Sequence, residues 1–344
     1  MAYIGKRGIV LSVLAAVLVW AFRTSPGLIL SPQLREWKQS GKFFSHGEFK
    51  VFYHDETGKG EAGEVVLCIH GFPSSSHDWV KVWDGLQGRF GRVIASDLLG
   101  FGFSDKPLDH NYSIFEQASI IEQLLETLEV KEVYILSHDY GDTVALELLR
   151  RFLDRQKSSE KSAAHLRIRS VCLMNGGFLP ETITFQWVQY LLTTSLGPYL
   201  SRLSNFLPFT FKQGISKVYG PDTKPSPAEY DDHQTLLRWN DGHLAMGSIS
   251  QYQNERVAHR ERWVEAVQQS TIPVHLIYGP ADPVNTPVLL DRYRELFPRA
   301  TDTVLNSKIG HYPHVEDPQS VLTAFFNFLE KVASFKQSSS PGKM

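Results

Sequence analysis

The sequence contains little cysteine. Two cysteines, Cys68 and Cys172, occur in 344 residues, which excludes both a disulfide scaffold and a zinc site with four cysteine ligands. Each lies inside a short apolar run of the kind that forms buried strands in α/β proteins. We therefore expect two buried free thiols.

The sequence also lacks an excess of charge of either sign. Its 35 basic and 37 acidic residues give a formal net charge of −2, so no basic field that would favour nucleic acid extends over the chain. Apolar residues make up 42% and charged residues 21%, values that are ordinary for globular proteins and exclude wholesale disorder. The composition therefore predicts a folded chain that does not bind nucleic acid.

No apolar run reaches the roughly 20 residues that a helical membrane span prefers. The run Gly8–Phe22 has 15 residues, with Lys6 and Arg7 before it and Arg23 after it. We interpret it as an uncleaved signal anchor, while a cleaved signal peptide and a helix packed on the protein itself remain alternatives. The heavier positive charge before the run predicts a cytosolic N-terminus and a globular part across the membrane. The glycosylation sequon Asn111–Ser113 offers a test of that orientation.

Strands and helices alternate along most of the chain, which is typical of a mostly parallel α/β sheet flanked by helices. The predicted strands are Phe49–His54, Val65–Ile69, Arg92–Ser96, Val133–Leu136, Arg169–Met174, Pro273–Tyr278 and Thr303–Leu305. The predicted helices are Ser113–Leu128, Gly141–Leu153 and Val321–Phe335. Ser113 and Glu116 have the spacing of a capping box at the start of the first helix.

The strand pattern stops between residues 178 and 269, where aromatic residues recur at helical spacing. This stretch predicts a helical cap inserted between late strands, over the sheet edge at which ligands bind in such folds. The resulting organisation is an N-terminal anchor segment (1–30), a core in two parts (41–177 and 270–335), the cap (178–269) and a disordered tail (336–344).

The segment Ser137–Gly141 joins a predicted strand directly to a predicted helix. Small residues two before and two after a central residue are typical of a nucleophile elbow, because that turn is strained and tightly packed. The central residue is Asp139, whose carboxylate is ionised at neutral pH and can attack carbon without a base. A helix-capping Asp in an ordinary loop is the alternative reading of this residue alone.

A second loop, His70–Pro73, follows the predicted strand Val65–Ile69. Hydrolase-type sheets place at this point a loop whose backbone N–H helps to form an oxyanion hole. The backbone amides of Phe72 and Tyr140 are the expected donors. An ordinary Gly-Pro turn is the alternative.

Two late loops carry the remaining candidates, Asp282 and His311, each shortly after a strand. Hydrolysis of an ester on Asp139 requires a base that activates water and a carboxylate that orients the base. The chain order of nucleophile, acid and histidine is that of α/β-hydrolases. His314 is the rival base. No acidic residue follows the strand that ends at Met174, where Asn175 stands, which strengthens Asp282 as the acid.

These segments together resemble the α/β-hydrolases of the epoxide hydrolase and haloalkane dehalogenase type, over residues 41–335. The segments that carry the resemblance are HGFPSSSHDW (70–79), DLLGFGFSDKP (97–107), SHDYGD (137–142), YGPADPVN (278–285) and GHYPHVEDP (310–318). Tyr140 stands where the family usually has Trp, and Phe72 offers no side-chain donor for a halide, so dehalogenation is disfavoured. Asp142 replaces a Gly and either stabilises the helix start or repels the charge of Asp139.

The resemblance implies that two tyrosines of the cap protonate the alkoxide that epoxide opening produces. The candidates are Tyr190, Tyr199, Tyr219, Tyr230 and Tyr252. It also implies a hydrolase at the endoplasmic reticulum membrane, with no metal and no organic cofactor. The leading hypothesis is a membrane-anchored hydrolase that cleaves an apolar, lipid-like epoxide or ester through a covalent ester on Asp139. A binding or regulatory protein without turnover and an acyltransferase of lipid metabolism are the alternatives.

Overall fold

The computed structural model describes residues 28–157, 166–184 and 208–339, together with the single positions 12 and 194. An eight-stranded sheet forms the centre of this part of the chain. Its strands are β1 (Lys42–His46), β2 (Phe49–Thr57), β3 (Glu61–Ile69), β4 (Phe90–Ser96), β5 (Glu132–Ser137), β6 (Arg167–Met174), β7 (Val274–Tyr278) and β8 (Thr301–Val304). The strand order is β1-β2-β4-β3-β5-β6-β7-β8; β2 runs antiparallel to both of its neighbours, β1 and β4, and the other neighbouring strands pair parallel. The predicted mostly parallel α/β sheet is confirmed.

Helices cover both faces of the sheet. They are α1 (Pro32–Ser40), α2 (Val80–Arg89), α3 (Ile114–Thr127), α4 (Tyr140–Lys157), α5 (Pro208–Ser216), α6 (Pro227–Arg238), α7 (Gly242–Ile249), α8 (Tyr252–Ala258), α9 (Arg260–Gln269), α10 (Pro287–Leu296), α11 (Pro313–Glu316) and α12 (Pro318–Ser339). Helices α2 and α12 pack on one face, and α3, α4 and α9 on the other. Helices α5–α9 form the insertion between β6 and β7.

The central strands are buried on both faces, which explains their continuous apolar runs. In β3, Leu67 and Ile69 belong to the core on one side of the sheet, whereas Val66 and Cys68 belong to the core on the other. Cys68 and Cys172 are both buried free thiols, as expected. The carboxyl ends of β3, β5, β6 and β7 meet at one edge, beneath the inserted helices.

The structure corrects the predicted capping box. Ser113 does cap α3, since its side chain accepts a hydrogen bond from the Phe115 amide. The Glu116 carboxylate instead lies 2.7 Å from Nε2 of His110. Glu255 of the inserted helix α8 accepts the hydrogen bond from the Ile114 amide, so the cap contributes to the start of a core helix.

Four features near the chain termini differ from the sequence-based expectations or lie outside the described residues. The sequence reading missed α1 and the edge strand β1, which precede the predicted core strands. Helix α12 continues to Ser339, so residues 336–339 are helical where a disordered tail is predicted. The predicted anchor Gly8–Phe22 lies outside the described residues apart from position 12, and no helix among those residues is long and apolar enough to span a membrane.

Candidate active site

Asp139 occupies the sharp turn between β5 and α4. Its φ of +46° lies in the left-handed region, a strained conformation that marks functional turns. A Cβ on Gly141 would lie 2.4 Å from the carbonyl oxygen of Ile69, so only glycine fits there. The turn thus has the geometry of the predicted nucleophile elbow.

The loop after β3 presents a backbone donor to this carboxylate. The Phe72 amide donates a hydrogen bond to Oδ2 of Asp139 at 3.1 Å. His70 fixes the loop: its Nδ1 donates to the Gly71 carbonyl at 2.8 Å, and its Nε2 accepts from the Leu98 amide at 3.0 Å. Tyr140, the other expected contributor to the oxyanion hole, is the first residue of α4, and the role of its amide stays a prediction.

His311 and Asp282 come together beside Asp139, although 172 positions separate the first and last of these three residues in the sequence. Nδ1 of His311 lies 2.7 Å from Oδ2 of Asp282. Nε2 of His311 lies 4.0 Å from Oδ2 of Asp139. The three side chains therefore lie in the order that the sequence predicts for a nucleophile, a base and an orienting acid.

Two asparagines that the sequence reading did not assign to the site hold Asp282. Oδ2 of Asp282 accepts hydrogen bonds from Nδ2 of Asn175 at 2.8 Å and Nδ2 of Asn285 at 3.1 Å. Oδ1 accepts from the Val284 amide at 2.7 Å. Asn175 follows β6, so its position at the end of a strand is the signal that could have identified it. These donors hold the Asp282 carboxylate in the orientation that contacts His311.

His314, the rival base, does not face Asp139. Its Nε2 lies 3.9 Å from Oδ2 of Asp78, and its ring stacks on Trp79. Asp78, His138 and His314 also form the group of potential metal ligands found among the described residues. The structure therefore favours His311 as the base.

The comparisons with known proteins agree with this arrangement. A family model described as alpha/beta hydrolase fold matches residues 64–318. The chain belongs to the α/β-hydrolase family.

Relatives of this α/β-hydrolase include the Mesoderm-specific transcript homolog protein of Homo sapiens, which is 48% identical over 321 residues, 92% of this chain and 93% of that protein. This similarity confirms a narrower resemblance that the segments YSIFEQASI (112–120) and NGGFLPET (175–182) indicate. LipZ of Mycobacterium tuberculosis, named as a hydrolase, is 34% identical over 299 residues, 87% of this chain and 99% of that protein. The structure of the Cif epoxide hydrolase from Acinetobacter nosocomialis shares the fold, with a TM-score of 0.69 and 21% identity over 89% of this chain and 100% of that chain.

A buried arginine of the hydrolase cap contacts the elbow, which the sequence reading missed. Nη2 of Arg256, on α8, donates to the Asp139 carbonyl at 2.9 Å and lies 3.4 Å from Oδ1 of its carboxylate. Its Nε donates to Oγ1 of Thr143 at 2.9 Å. The Arg256 side chain is 1% exposed. In the sequence nothing distinguishes it from the nearby Arg260 and Arg262.

The predicted cap tyrosines occupy different places. Tyr252 packs on Tyr140, with ring centroids 4.6 Å apart. Burial raises the pKa of the Tyr252 hydroxyl, and the nearby charge of Asp139 raises it further. Tyr219 stacks on Tyr312, next to His311. Tyr230 packs behind Tyr219. The remaining candidates, Tyr190 and Tyr199, lie outside the described residues.

Asp142 is a structural residue beneath the elbow. Its Oδ1 accepts a hydrogen bond from Oγ of Ser137 at 2.6 Å, and its Oδ2 accepts one from the Met174 amide at 3.1 Å. Burial raises the pKa of Asp142 well above its ordinary value and so favours the uncharged form. Of the two expected roles, this arrangement favours stabilisation of the turn over repulsion of Asp139.

The protonation of His311 is set by opposing effects. Burial lowers its pKa, but the nearby carboxylates of Asp282 and Asp139 outweigh burial and raise the pKa from 6.5 to about 9. At neutral pH the resting histidine is therefore largely protonated and lies between two carboxylates.

This raised pKa predicts a fall in stability at alkaline pH. Protonated His311 stabilises the fold fully below pH 6.5, and this contribution is lost as the pH rises through about 9. We expect the free energy of unfolding to decrease by up to about 3 kcal/mol over this interval, measured by urea denaturation at a series of pH values. His311→Gln should lack this decrease. A wild-type curve parallel to that of His311→Gln would contradict the prediction.

Proposed function

We propose that the protein is a hydrolase that opens an apolar epoxide with Asp139 as nucleophile. One observation carries the proposal: His311 lies between the carboxylates of Asp282 and Asp139. The Asp139 carboxylate also accepts a hydrogen bond from the Phe72 amide. A nucleophile, a base with its orienting acid and an oxyanion donor are the groups that a two-step ester mechanism needs.

In the first step, Oδ1 of Asp139 attacks a ring carbon of the epoxide. The carbon–oxygen bond of the ring breaks, and the epoxide oxygen leaves as an alkoxide that takes a proton. Among the cap tyrosines in the described residues, Tyr252 packs against Tyr140 and Phe72 beside the elbow. This position supports Tyr252 as the donor of the proton. An ester between substrate and Asp139 results.

In the second step, His311 removes a proton from water, which attacks Cγ of Asp139. The negative charge that develops on the former Oδ2 is stabilised by the Phe72 amide and, we propose, by the Tyr140 amide. Collapse of this intermediate breaks the bond between Cγ and the substrate oxygen, and the carboxylate is restored. The proton held by His311 and the remaining proton of water pass to the departing oxygen and to Tyr252, so the diol leaves and both side chains are reset. The new oxygen of the first diol molecule comes from Asp139 rather than from water.

The surroundings of Asp139 support an apolar substrate. Phe72 and Tyr252 pack together, with ring centroids 5.7 Å apart, and Tyr140 is fully buried beside them. A long alkyl chain fits such aromatic walls better than a polar substrate does. We further propose that the N-terminal run anchors the enzyme at the endoplasmic reticulum membrane, with its globular part in the lumen beside a bilayer into which apolar substrates partition.

Labelled water tests the mechanism. With enzyme in excess over long-chain alkene and fatty-acid epoxides in H₂¹⁸O, we expect an unlabelled diol, because only one turnover occurs and Asp139 supplies the oxygen. Mass spectrometry should instead find ¹⁸O in the peptide that contains Asp139. Asp139→Asn is the control and should form no diol. A singly labelled diol would show direct attack by water and would overturn the proposal.

The contact between Arg256 and Asp139 favours a second candidate, a binding or regulatory protein without turnover. The guanidinium lies 3.4 Å from the oxygen that would attack, and the Asp139 carboxylate is 7% exposed. A folded wild-type protein that converts none of the epoxides or the corresponding esters would support this candidate. Product formed only when an acceptor alcohol is added would support acyl transfer.

A further inference from the structure

Asp78, His138 and His314 come together beside the catalytic loops; the two histidines are fully buried and Asp78 is partly buried. Oδ2 of Asp78, Nδ1 of His138 and both ring nitrogens of His314 are buried and have no hydrogen-bond partner. Ligand atoms of the three residues all lie within 4.8 Å of one another. Buried polar groups are nearly always paired, so a cluster of this kind requires an explanation.

The hydrogen bond made by one ring nitrogen of His138 determines whether the other ring nitrogen carries a proton. Nε2 of His138 lies 2.7 Å from the carbonyl oxygen of His311, so this nitrogen carries the proton and donates it. Nδ1 is then an unprotonated nitrogen with no hydrogen-bond partner among the described residues. Histidines that bind metals are typically held in this way, with one ring nitrogen donating to a carbonyl and the other free for the ion.

We propose that Asp78, His138 and His314 bind a divalent transition-metal ion, with Zn²⁺ as the preferred ion. Two imidazole nitrogens and one carboxylate oxygen are a ligand set that zinc accepts, completed by one water. The ion takes the place of the missing hydrogen bonds and neutralises the Asp78 carboxylate. No residue of this cluster takes part in the proposed ester chemistry.

To bind an ion, the ligand atoms, which lie within 4.8 Å of one another, must move closer together by about 0.5–1.4 Å. Nε2 of His314 lies 3.9 Å from Oδ2 of Asp78. A tetrahedral zinc ion, with bonds of about 2.0–2.2 Å, holds its ligands about 3.4 Å apart. The stacking of His314 on Trp79, at a centroid distance of 4.5 Å, restricts the ring to this region. A cavity of about 60 Å³, lined in part by His77 and Tyr219, includes Asp78 of the cluster among its lining residues and has room for a water beside that carboxylate.

The ion would join the three segments on which the active site is built. His138 immediately precedes Asp139, and His314 follows His311 by three residues on the next short helix. Asp78 lies on the helical turn that follows the Phe72 loop. We therefore assign the ion a structural role, since it fixes the elbow, the base and the oxyanion loop relative to one another.

Metal content tests this site directly. The untagged full-length chain, purified in detergent and incubated with Zn²⁺, should retain one equivalent of zinc after gel filtration, measured by mass spectrometry of the metal. The midpoint of thermal unfolding should rise by about 5 °C with saturating Zn²⁺. His314→Gln and Asp78→Asn should each lose the bound equivalent and the shift. His275→Gln, a buried histidine that contacts Thr301 and Thr303 instead, is the matched control and should keep both.

A measurement on the wild-type chain guards against variants that fail to fold. Co²⁺ bound in place of Zn²⁺ should give visible absorption bands typical of a four-coordinate ion with nitrogen and oxygen ligands, and Zn²⁺ should abolish them. Wild-type protein that retains no zinc and binds no cobalt would overturn the site. Full retention of zinc by a folded His314→Gln variant would overturn it as well, because the ion would then lie elsewhere.

Discussion

Replacing His311 with glutamine is expected to trap an ester on Asp139. The variant keeps the nucleophile and the Phe72 amide, so the first step can proceed. It lacks the base that activates water, a loss that typically slows a reaction by about 10²–10⁴-fold. Intact-mass measurement should show the protein gaining the mass of one epoxide molecule, and fragmentation should locate the adduct on Asp139 rather than on Asp142 of the same peptide.

The control for trapping is the double variant Asp139→Asn/His311→Gln, which should gain no mass under the same conditions. An adduct on another carboxylate would show that the elbow does not supply the nucleophile. If the wild-type protein turns a substrate over and His311→Gln neither accumulates an adduct nor slows, the proposed base is wrong. Trapping would also identify the substrate class, since only a substrate reacts.

Replacing Arg256 with methionine is expected to destabilise the protein by about 3–5 kcal/mol, because it leaves a buried carboxylate without its partner. The guanidinium connects the cap helix α8 to the Asp139 backbone, the Asp139 carboxylate and Thr143. Methionine keeps much of the side-chain volume but none of these donors. The free energy of unfolding from urea denaturation measures the effect.

Arg260→Met is the matched control, because Arg260 lies on the next cap helix and pairs with Glu181 near the surface. A pair of that kind contributes about 0–1 kcal/mol. Adding Asp139→Asn to Arg256→Met should recover part of the lost stability, since the unpaired charge is then removed. Equal effects of Arg256→Met and Arg260→Met would show that the contact with the elbow contributes little.

The sequence was sufficient to predict that Asp139, Asp282 and His311 come together, because each follows a strand in a recognisable turn. Asp139 lies between small residues at a strand-to-helix junction, and Asp282 and His311 follow late strands in the chain order of the family. The parallel sheet then brings these strand ends to one edge. The same logic predicted the position of Phe72, whose amide contacts Asp139.

Residues that act through long-range packing could not be predicted in this way. Arg256 reaches the elbow only because the cap folds over it, and a helix with several arginines carries no sign of which one is buried. The edge strand β1 was missed because an edge strand is short and partly exposed, so its apolar pattern is weak. The capping box did not form because Glu116 pairs with His110, a residue of the preceding loop, instead of with the Ser113 amide.

The position of His311 between two carboxylates has a consequence for the order of events in the proposed reaction. The charge of Asp139 is one of the influences that raise the pKa of His311. Esterification removes this charge, so the histidine becomes a readier proton acceptor at the moment when an ester awaits hydrolysis. Before that moment it is largely protonated and cannot activate water. The substrate itself would thus set the timing of its own release.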